Sequence, residues 1–232
     1  MPIKSILFGS IGTIVETSDI QRQAYNDAMR EAGLSWNWDR ATYSELLLQS
    51  GGKDRLAHLA AATSTILPQA TIDQIHTRKT ELACARMASQ GVSPRPGVVE
   101  LISLAKTRGL KLAFVTTTYQ ANIDAVFAAV GSAFSVQDFD FVASRDTVVR
   151  GKPFPDVYQA ALVALGLNPQ DALAIEDTAL SAMSAKRAGI SVVVTPGALT
   201  RDQDLWQADL VLNALADEQE IDVRLLEMLD GV

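Results

Sequence analysis

The 232-residue chain has one cysteine, Cys84, which excludes an intrachain disulfide and suits a reducing compartment. The thiol is expected to pack as a small buried hydrophobe. Basic residues are outnumbered, 20 Lys and Arg against 27 Asp and Glu, for a net charge of −7. With few basic clusters, that balance argues against a nucleic-acid or anionic membrane surface, while a local phosphate site needs only a few cations. No apolar run approaches the about 18 residues needed to span a bilayer. The apolar stretch in the opening MPIKSILFGS is too short for a secretion signal, so a cytoplasmic location is expected. Internal repeats and low-complexity segments are also missing. What is present is an ordinary globular composition, 48% hydrophobic, at a length that suits one large domain or a core with a modest insert.

Ile3 to Phe8 form a short apolar run that ends in Gly9-Ser10-Ile11-Gly12-Thr13, a buried strand followed by a tight loop. From about Asp19 to Ser89 the pattern is helical, with segments at Gln21–Ala32, Arg40–Gln49, Asp54–Thr63 and Ile72–Met87 and no convincing strand. After Ser93-Pro94-Arg95-Pro96-Gly97, helix-like and strand-like segments alternate. Helices are expected at Gly97–Arg108, Ala121–Val130, Pro155–Leu165 and Ala179–Ala188, and strands at Lys111–Thr116, Phe139–Ala143, Ala172–Ile175 and Ser191–Thr195. Such alternation predicts an α/β fold, a Rossmann-like, doubly wound parallel sheet with helices on both faces. The expected division is a core of residues 1–16 and 92–232 with an all-helical cap, 17–91, inserted above the carboxyl edge of the sheet.

Three loops at that edge carry residues suited to phosphate and metal. Thr116-Thr117-Thr118 places hydroxyls where an apolar strand gives way to a helix, a cradle for phosphate. Gly151-Lys152-Pro153-Phe154-Pro155 fixes an ammonium ahead of a proline-initiated helix. Glu176-Asp177 puts two carboxylates directly after a buried strand, where oxygen ligands could hold a divalent cation. Taken singly, these are turn residues, a solvated lysine and a helix cap; their occurrence at successive sheet edges points to one site.

The lysine-proline segment and the Glu-Asp-Thr strand end, followed by Ala-Gly, resemble the haloacid dehalogenase superfamily of aspartate-nucleophile phosphatases. Ser35-Trp36-Asn37-Trp38-Asp39-Arg40, Ser50-Gly51-Gly52-Lys53-Asp54-Arg55 and Thr195-Pro196-Gly197-Ala198-Leu199-Thr200-Arg201 are similar to segments of its CbbY-type sugar bisphosphate phosphatases, relatives of β-phosphoglucomutase. The resemblance implies that Thr116 binds the transferring phosphoryl group, that Lys152 pairs with phosphate and nucleophile, and that Glu176 and Asp177 hold Mg2+. It also implies that Gly52, Lys53 and Arg55 reach the far end of a phosphorylated sugar or its second phosphate, that Glu16 is a hinge acid touching substrate, and that Thr117 and Asn122 support the phosphate loop.

The first motif departs from that family. Where Asp-x-Asp-Gly-Thr is usual, this chain reads Gly9-Ser10-Ile11-Gly12-Thr13, so the nucleophile position holds Gly9 and the acid/base position Ile11. Neither can form an aspartyl phosphate or give a proton to the leaving oxygen. The family's cap-hinge histidine aligns with Gln21. Strand alternation would turn Ser10 away from Gly9's direction, and His58 and His76, the two histidines, are expected in surface or packing roles. Mg2+ is therefore expected to bind weakly or not at all, while phosphate binding persists. The expected function is a catalytically silent relative that binds inorganic phosphate, a phosphorylated sugar or a protein partner; the alternative is an active Mg2+-dependent phosphatase with a modified mechanism.

Overall fold

The computed structural model describes residues 2–49 and 51–231; Ser50, at the head of the Ser50–Arg55 segment, lies outside the described residues. Six short strands, β1 (Ser5–Phe8), β2 (Lys111–Val115), β3 (Phe141–Ala143), β4 (Ala172–Glu176), β5 (Ser191–Val194) and β6 (Leu210–Val211), form one sheet. Their order is β3-β2-β1-β4-β5-β6 and every neighbouring pair is parallel. The helices are α1 (Ser18–Glu31), α2 (Arg40–Leu46), α3 (Gly52–Ala62), α4 (Gln69–Gln90), α5 (Val98–Thr107), α6 (Gln120–Ala129), α7 (Asp156–Leu165), α8 (Ala179–Arg187) and α9 (Val223–Asp230).

Period-two alternation builds a core on each face of the sheet. Ile6, Phe8, Leu112 and Phe114 join one cluster with Leu101 of α5, Ile123 of α6 and Leu225 of α9. Leu7, Ala113 and Val115 join the other with Val157 of α7 and Ala182 of α8. From β1 the chain builds outward through β2 and β3, then returns to β4 on the other side of β1. Connections therefore diverge at the β1–β4 boundary, which opens a crevice beyond the carboxyl ends of those strands.

Helices α1 to α4 follow one another between β1 and β2 and carry a third cluster, in which the Tyr25 and Trp38 ring centroids are 4.7 Å apart and those of Trp38 and Tyr43 5.8 Å. The Trp38-Asp39 segment has a packing reason of its own. The Trp38 carbonyl accepts from Arg22 and Asn26, and the Asp39 carboxylate caps α2 by accepting from the Thr42 amide at 2.8 Å. Leu199, from the loop after β5, enters this cluster, and the Ser44 hydroxyl donates to the Leu199 carbonyl at 2.6 Å. The two chain crossings into the helical stretch are paired at Val15 and Pro94. Arg95 ties them to the same loop by donating to the carbonyls of Gly12, Thr195 and Pro196.

Several boundaries differ from the sequence reading. Phe139 and Asp140 precede β3 rather than belong to it, because a 3-10 turn at Val136–Asp138 draws the Phe139 ring into the aromatic cluster of Phe8 and Phe114. Strand β6, the small hairpin of β7 (Ala216–Asp217) and β8 (Glu220–Ile221), and α9 were not anticipated. Cys84 is partly buried, not enclosed: it packs at the margin of the first cluster with its Sγ 3.5 Å from the Ala121 carbonyl.

Candidate functional site

Beyond the carboxyl ends of β1, β2 and β4 lies a cavity of about 330 Å3, floored by the sheet-edge loops and roofed by α1, α3 and α4. Every strand-end residue below reaches it because its strand is buried and stops there, leaving the next side chain free of the sheet.

On the floor, the Ser10 hydroxyl donates to Thr116 Oγ1 at 2.7 Å, and Thr116 Oγ1 also accepts from the Thr118 amide at 3.2 Å. Ser10 thus faces into the site, contrary to the alternation argument, because β1 ends at Phe8 and the pleat no longer governs its direction. Lys152 is buried at 8% exposure; its ammonium donates to the Val115 carbonyl at 3.1 Å and to Glu176 Oε1. Glu176 Oε1 also accepts from the Tyr158 hydroxyl, a partner that no motif announced. Thr13 Oγ1 stands 3.4 Å from Glu176 Oε2 and 3.2 Å from Asp177 Oδ1. Burial, reinforced by Glu176 and Glu16, pushes Asp177 up to about 7 against the opposing pull of Lys152 and Arg95.

Gly9 contributes no side chain, and the room has been taken. A Cβ built there would collide with Glu176 Oε2 and stand 2.6 Å from Thr13 Oγ1. Ile11 lines the cavity as a half-buried apolar group. Thr117, Asn122, Gly52, Lys53 and Arg55 all line it too. Glu16 does not join them: its Oε1 accepts from the Ser18 amide at 2.9 Å at the start of α1, and its carboxylate lies against Gly197. Lys53 is paired with Asp73 at 2.7 Å. The Arg55 Nε donates to the carbonyls of Leu46 and Gln49, which holds its guanidinium 5.9 Å from the Tyr43 ring centroid.

The roof holds a cation that sequence reasoning missed. Lys79 is buried at 7% exposure, its ammonium 4.7 Å from the Tyr25 ring centroid, and among the described residues no carboxylate pairs with it. Burial, with Arg55 adding repulsion, pushes it down to about 7. The signal was in the sequence: Ile72, Ile75, Lys79, Ala83 and Met87 recur at helical spacing on the buried stripe of α4, so a lysine interrupts a core face. His76 also faces the cavity, where burial and the neighbouring Lys79 push it down to about 4 and keep it neutral. Among the described residues, both amide atoms of Gln21, the Tyr25 hydroxyl and Asn122 Oδ1 are buried cavity-lining groups without a hydrogen-bond partner. Buried polar atoms are normally satisfied, so these four point to a polar ligand or ordered water.

A magnesium centre needs near-octahedral oxygen ligands with one or two free carboxylates. Glu176 Oε1 is engaged by Lys152 and Tyr158, while Gly9 and Ile11 bring no side-chain oxygen. Among the described residues no three His, Cys, Asp or Glu side chains gather into a metal-holding group. Among the described residues Asp177 is the one carboxylate of this floor not paired with a cation, which leaves the donor set at the lower limit for a magnesium centre.

A doubly wound parallel sheet with hydroxyl, ammonium and carboxylate side chains gathered at its switch point defines an α/β protein with its site beyond the carboxyl ends of the strands. The chain belongs to the haloacid dehalogenase-like hydrolases, whose family pattern matches residues 3–189, and within them it is CbbY-like. Protein CbbY of Rhodobacter capsulatus is 41% identical over 209 residues, covering 90% of this chain and 92% of that protein. A crystal structure of a CbbY variant from Rhodobacter sphaeroides in complex with xylulose-(1,5)bisphosphate superposes with a TM-score of 0.88 at 37% identity, covering 98% of this chain and 99% of that one. CbbY from the same organism in complex with phosphate gives 0.83 at 37% identity, covering 91% and 94%. Hydrolases of this family are generally Mg2+-dependent.

Proposed function

We propose that this protein binds a phosphorylated sugar across the cavity without hydrolysing it. Residues 17–91 act as the cap over a core of 1–16 and 92–232. One phosphoryl group sits on Thr116, Thr117 and Lys152. The far end, anionic in a bisphosphate, is met by Gly52, Arg55 and Lys79, with Asn122 and Gln21 supplying uncharged contacts. One observation carries this reading: cations, Lys152 at the floor and Arg55 and Lys79 at the roof, stand at both ends of one cavity whose nucleophile and acid/base positions, Gly9 and Ile11, hold no titratable atom. Aspartyl-phosphate chemistry needs a carboxylate oxygen to attack phosphorus and an acid to protonate the leaving oxygen, and losing general acid/base catalysis alone costs about 10²- to 10⁴-fold. CbbY, which binds xylulose bisphosphate, supplies the ligand class. By the same reading Mg2+ binds weakly, and Glu176 serves as Lys152's partner rather than as a metal ligand.

A second reading has its own observation. Asp177, buried beside the cradle and held near 7, has the proton affinity of a base that could activate water for direct attack. Phosphate release from xylulose 1,5-bisphosphate with Mg2+, beside the Asp177→Ala variant, decides between the two. The expected result is no release above the variant. A parallel thermal-shift series checks the binding claim: the sugar bisphosphate at 100 times its Kd should stabilise the protein by about 2.7 kcal/mol, and Lys152→Ala should remove the shift. Release that disappears in Asp177→Ala would establish the enzyme reading instead.

A further inference from the structure

We propose that the phosphoryl end of this cavity binds its ligand without a divalent cation, through the Ser10–Thr116 hydroxyl pair and a Lys152 ammonium seated on Glu176 and Tyr158. The inference rests on the ligand-binding reading above and goes beyond it by naming what takes the metal's place.

A divalent ion in a carboxylate-lined phosphate site offsets the repulsion between acids and ligand. Here that repulsion is reduced. Positions 9 and 11 carry no charge, and of the two acids on the floor Glu176 is 1% exposed and turned to Lys152 and Tyr158, while Asp177 accepts from the Thr13 hydroxyl at 3.2 Å. The Glu176 carboxylate fills the space beside Gly9, so the volume a larger floor would offer to an ion and its waters is occupied by protein.

The seat also prepares the lysine. An ammonium has three N–H donors, and two are spent on the Val115 carbonyl and Glu176 Oε1. The third remains for an anion, and the two acceptors fix the nitrogen in position before the ligand arrives, which reduces the ordering cost of binding. The hydroxyl pair adds donors of a kind the first motif does not usually provide. Ser10 spends its proton on Thr116 Oγ1, which leaves the Thr116 proton free for a phosphoryl oxygen; reversal of the pair offers the Ser10 proton in its place. A phosphoryl group so placed meets one full positive charge and one or two hydroxyl donors, with charge-assisted hydrogen bonds throughout.

The test is calorimetric titration of the intact chain with inorganic phosphate and with xylulose 1,5-bisphosphate, each in Mg2+ buffer and in EDTA. The expected outcome is a Kd that agrees within about twofold between the two buffers for each probe. Affinity at least tenfold tighter with Mg2+ would overturn metal independence while leaving the binding reading intact. Failure of both probes to bind in either buffer would overturn the binding reading itself. Ser10→Ala leaves Thr116 without the donor that polarises its hydroxyl and removes the alternative Ser10 donor, so it should weaken phosphate severalfold in both buffers; an unchanged Kd would remove Ser10 from the cradle. Tyr158→Phe keeps the ring and deletes the hydroxyl, so it should weaken phosphate severalfold with the Tm lowered only modestly. Retained affinity in that variant would overturn the seat.

Discussion

Single residues set the chemistry of this site, and Gly9 is the sharpest case. The side chain usual at its position would have to displace Glu176, whose carboxylate is held by Lys152 and Tyr158. Gly9→Asp alone should therefore lower stability by about 1–3 kcal/mol, the usual cost of overpacking a filled core, and give no phosphatase activity; a thermal melt beside a phosphate-release assay reads both. Lys79 makes a different prediction. Its folded-state value near 7 lies below the ordinary lysine value of 10.5, so the unfolded chain binds more protons between those limits. Its burial penalty is thus fully present below pH 7 and fades as pH rises toward 10.5. Lys79→Met should stabilise the ligand-free protein, by roughly 1–3 kcal/mol more at pH 6 than at pH 9. A phosphate brought to Lys79 favours its charged form, so binding of the bisphosphate near pH 8 should take up a proton. Calorimetry in two buffers of different ionisation enthalpy measures that uptake directly.

Among the elements, the loop that follows β5 links the sheet to the helices above it. Leu199 is buried in the cluster of Tyr25, Trp38 and Tyr43, and Ser44 of α2 bonds its carbonyl. Leu199→Ala should cost about 2–5 kcal/mol, and amide exchange should rise first in α2, the element that loses its packing partner. This loop shows where reading a sequence succeeds and where it stops. Thr195 to Arg201 stood out as a segment, yet nothing in its composition says that Leu199 leaves its own layer for another. The five longer strands were legible because each is a short apolar run bounded by turn residues, and their βα order dictated the sheet. Strand β6 is two residues long, below any periodicity. The β7–β8 turn places Glu218 and Gln219 at positive φ, 43° and 72°, without the Asn-Gly pair that usually announces such a turn. Thr116, Lys152, Glu176 and Asp177, all of which line the cavity, could be singled out because each ends or follows a strand or precedes a helix. Tyr158 was hidden inside a helix stripe, and Ser10 was turned the wrong way by extending the pleat past the end of β1.

For the whole molecule, the acidic net charge of −7 surrounds a cavity with a cation at each end, Lys152 at the floor and Arg55 and Lys79 at the roof. Association with a bisphosphate is therefore steered locally and opposed at distance, so raising ionic strength should change the on-rate little compared with a globally basic phosphate binder. Arg95 joins both chain crossings to the loop that carries Leu199, through three carbonyl acceptors. Its replacement by Ala should loosen the helical unit against the sheet, seen as a larger radius of gyration in solution scattering that returns to the native value when the sugar bisphosphate is added.

The position of Leu199 in the chain has one more consequence, for the order in which the protein is made. Helices α1 to α4 leave the ribosome early, but the residue that completes their cluster is encoded about 110 positions after α4 ends. Strand β1 likewise waits in the open for both β2 and β4. A nascent chain stopped short of Leu199 carries unfinished apolar surface in both layers at once, so neither layer can close as an independent unit during synthesis. Native closure becomes a late and joint event, and nascent chains of increasing length should acquire protease resistance in one step, after Leu199 has emerged.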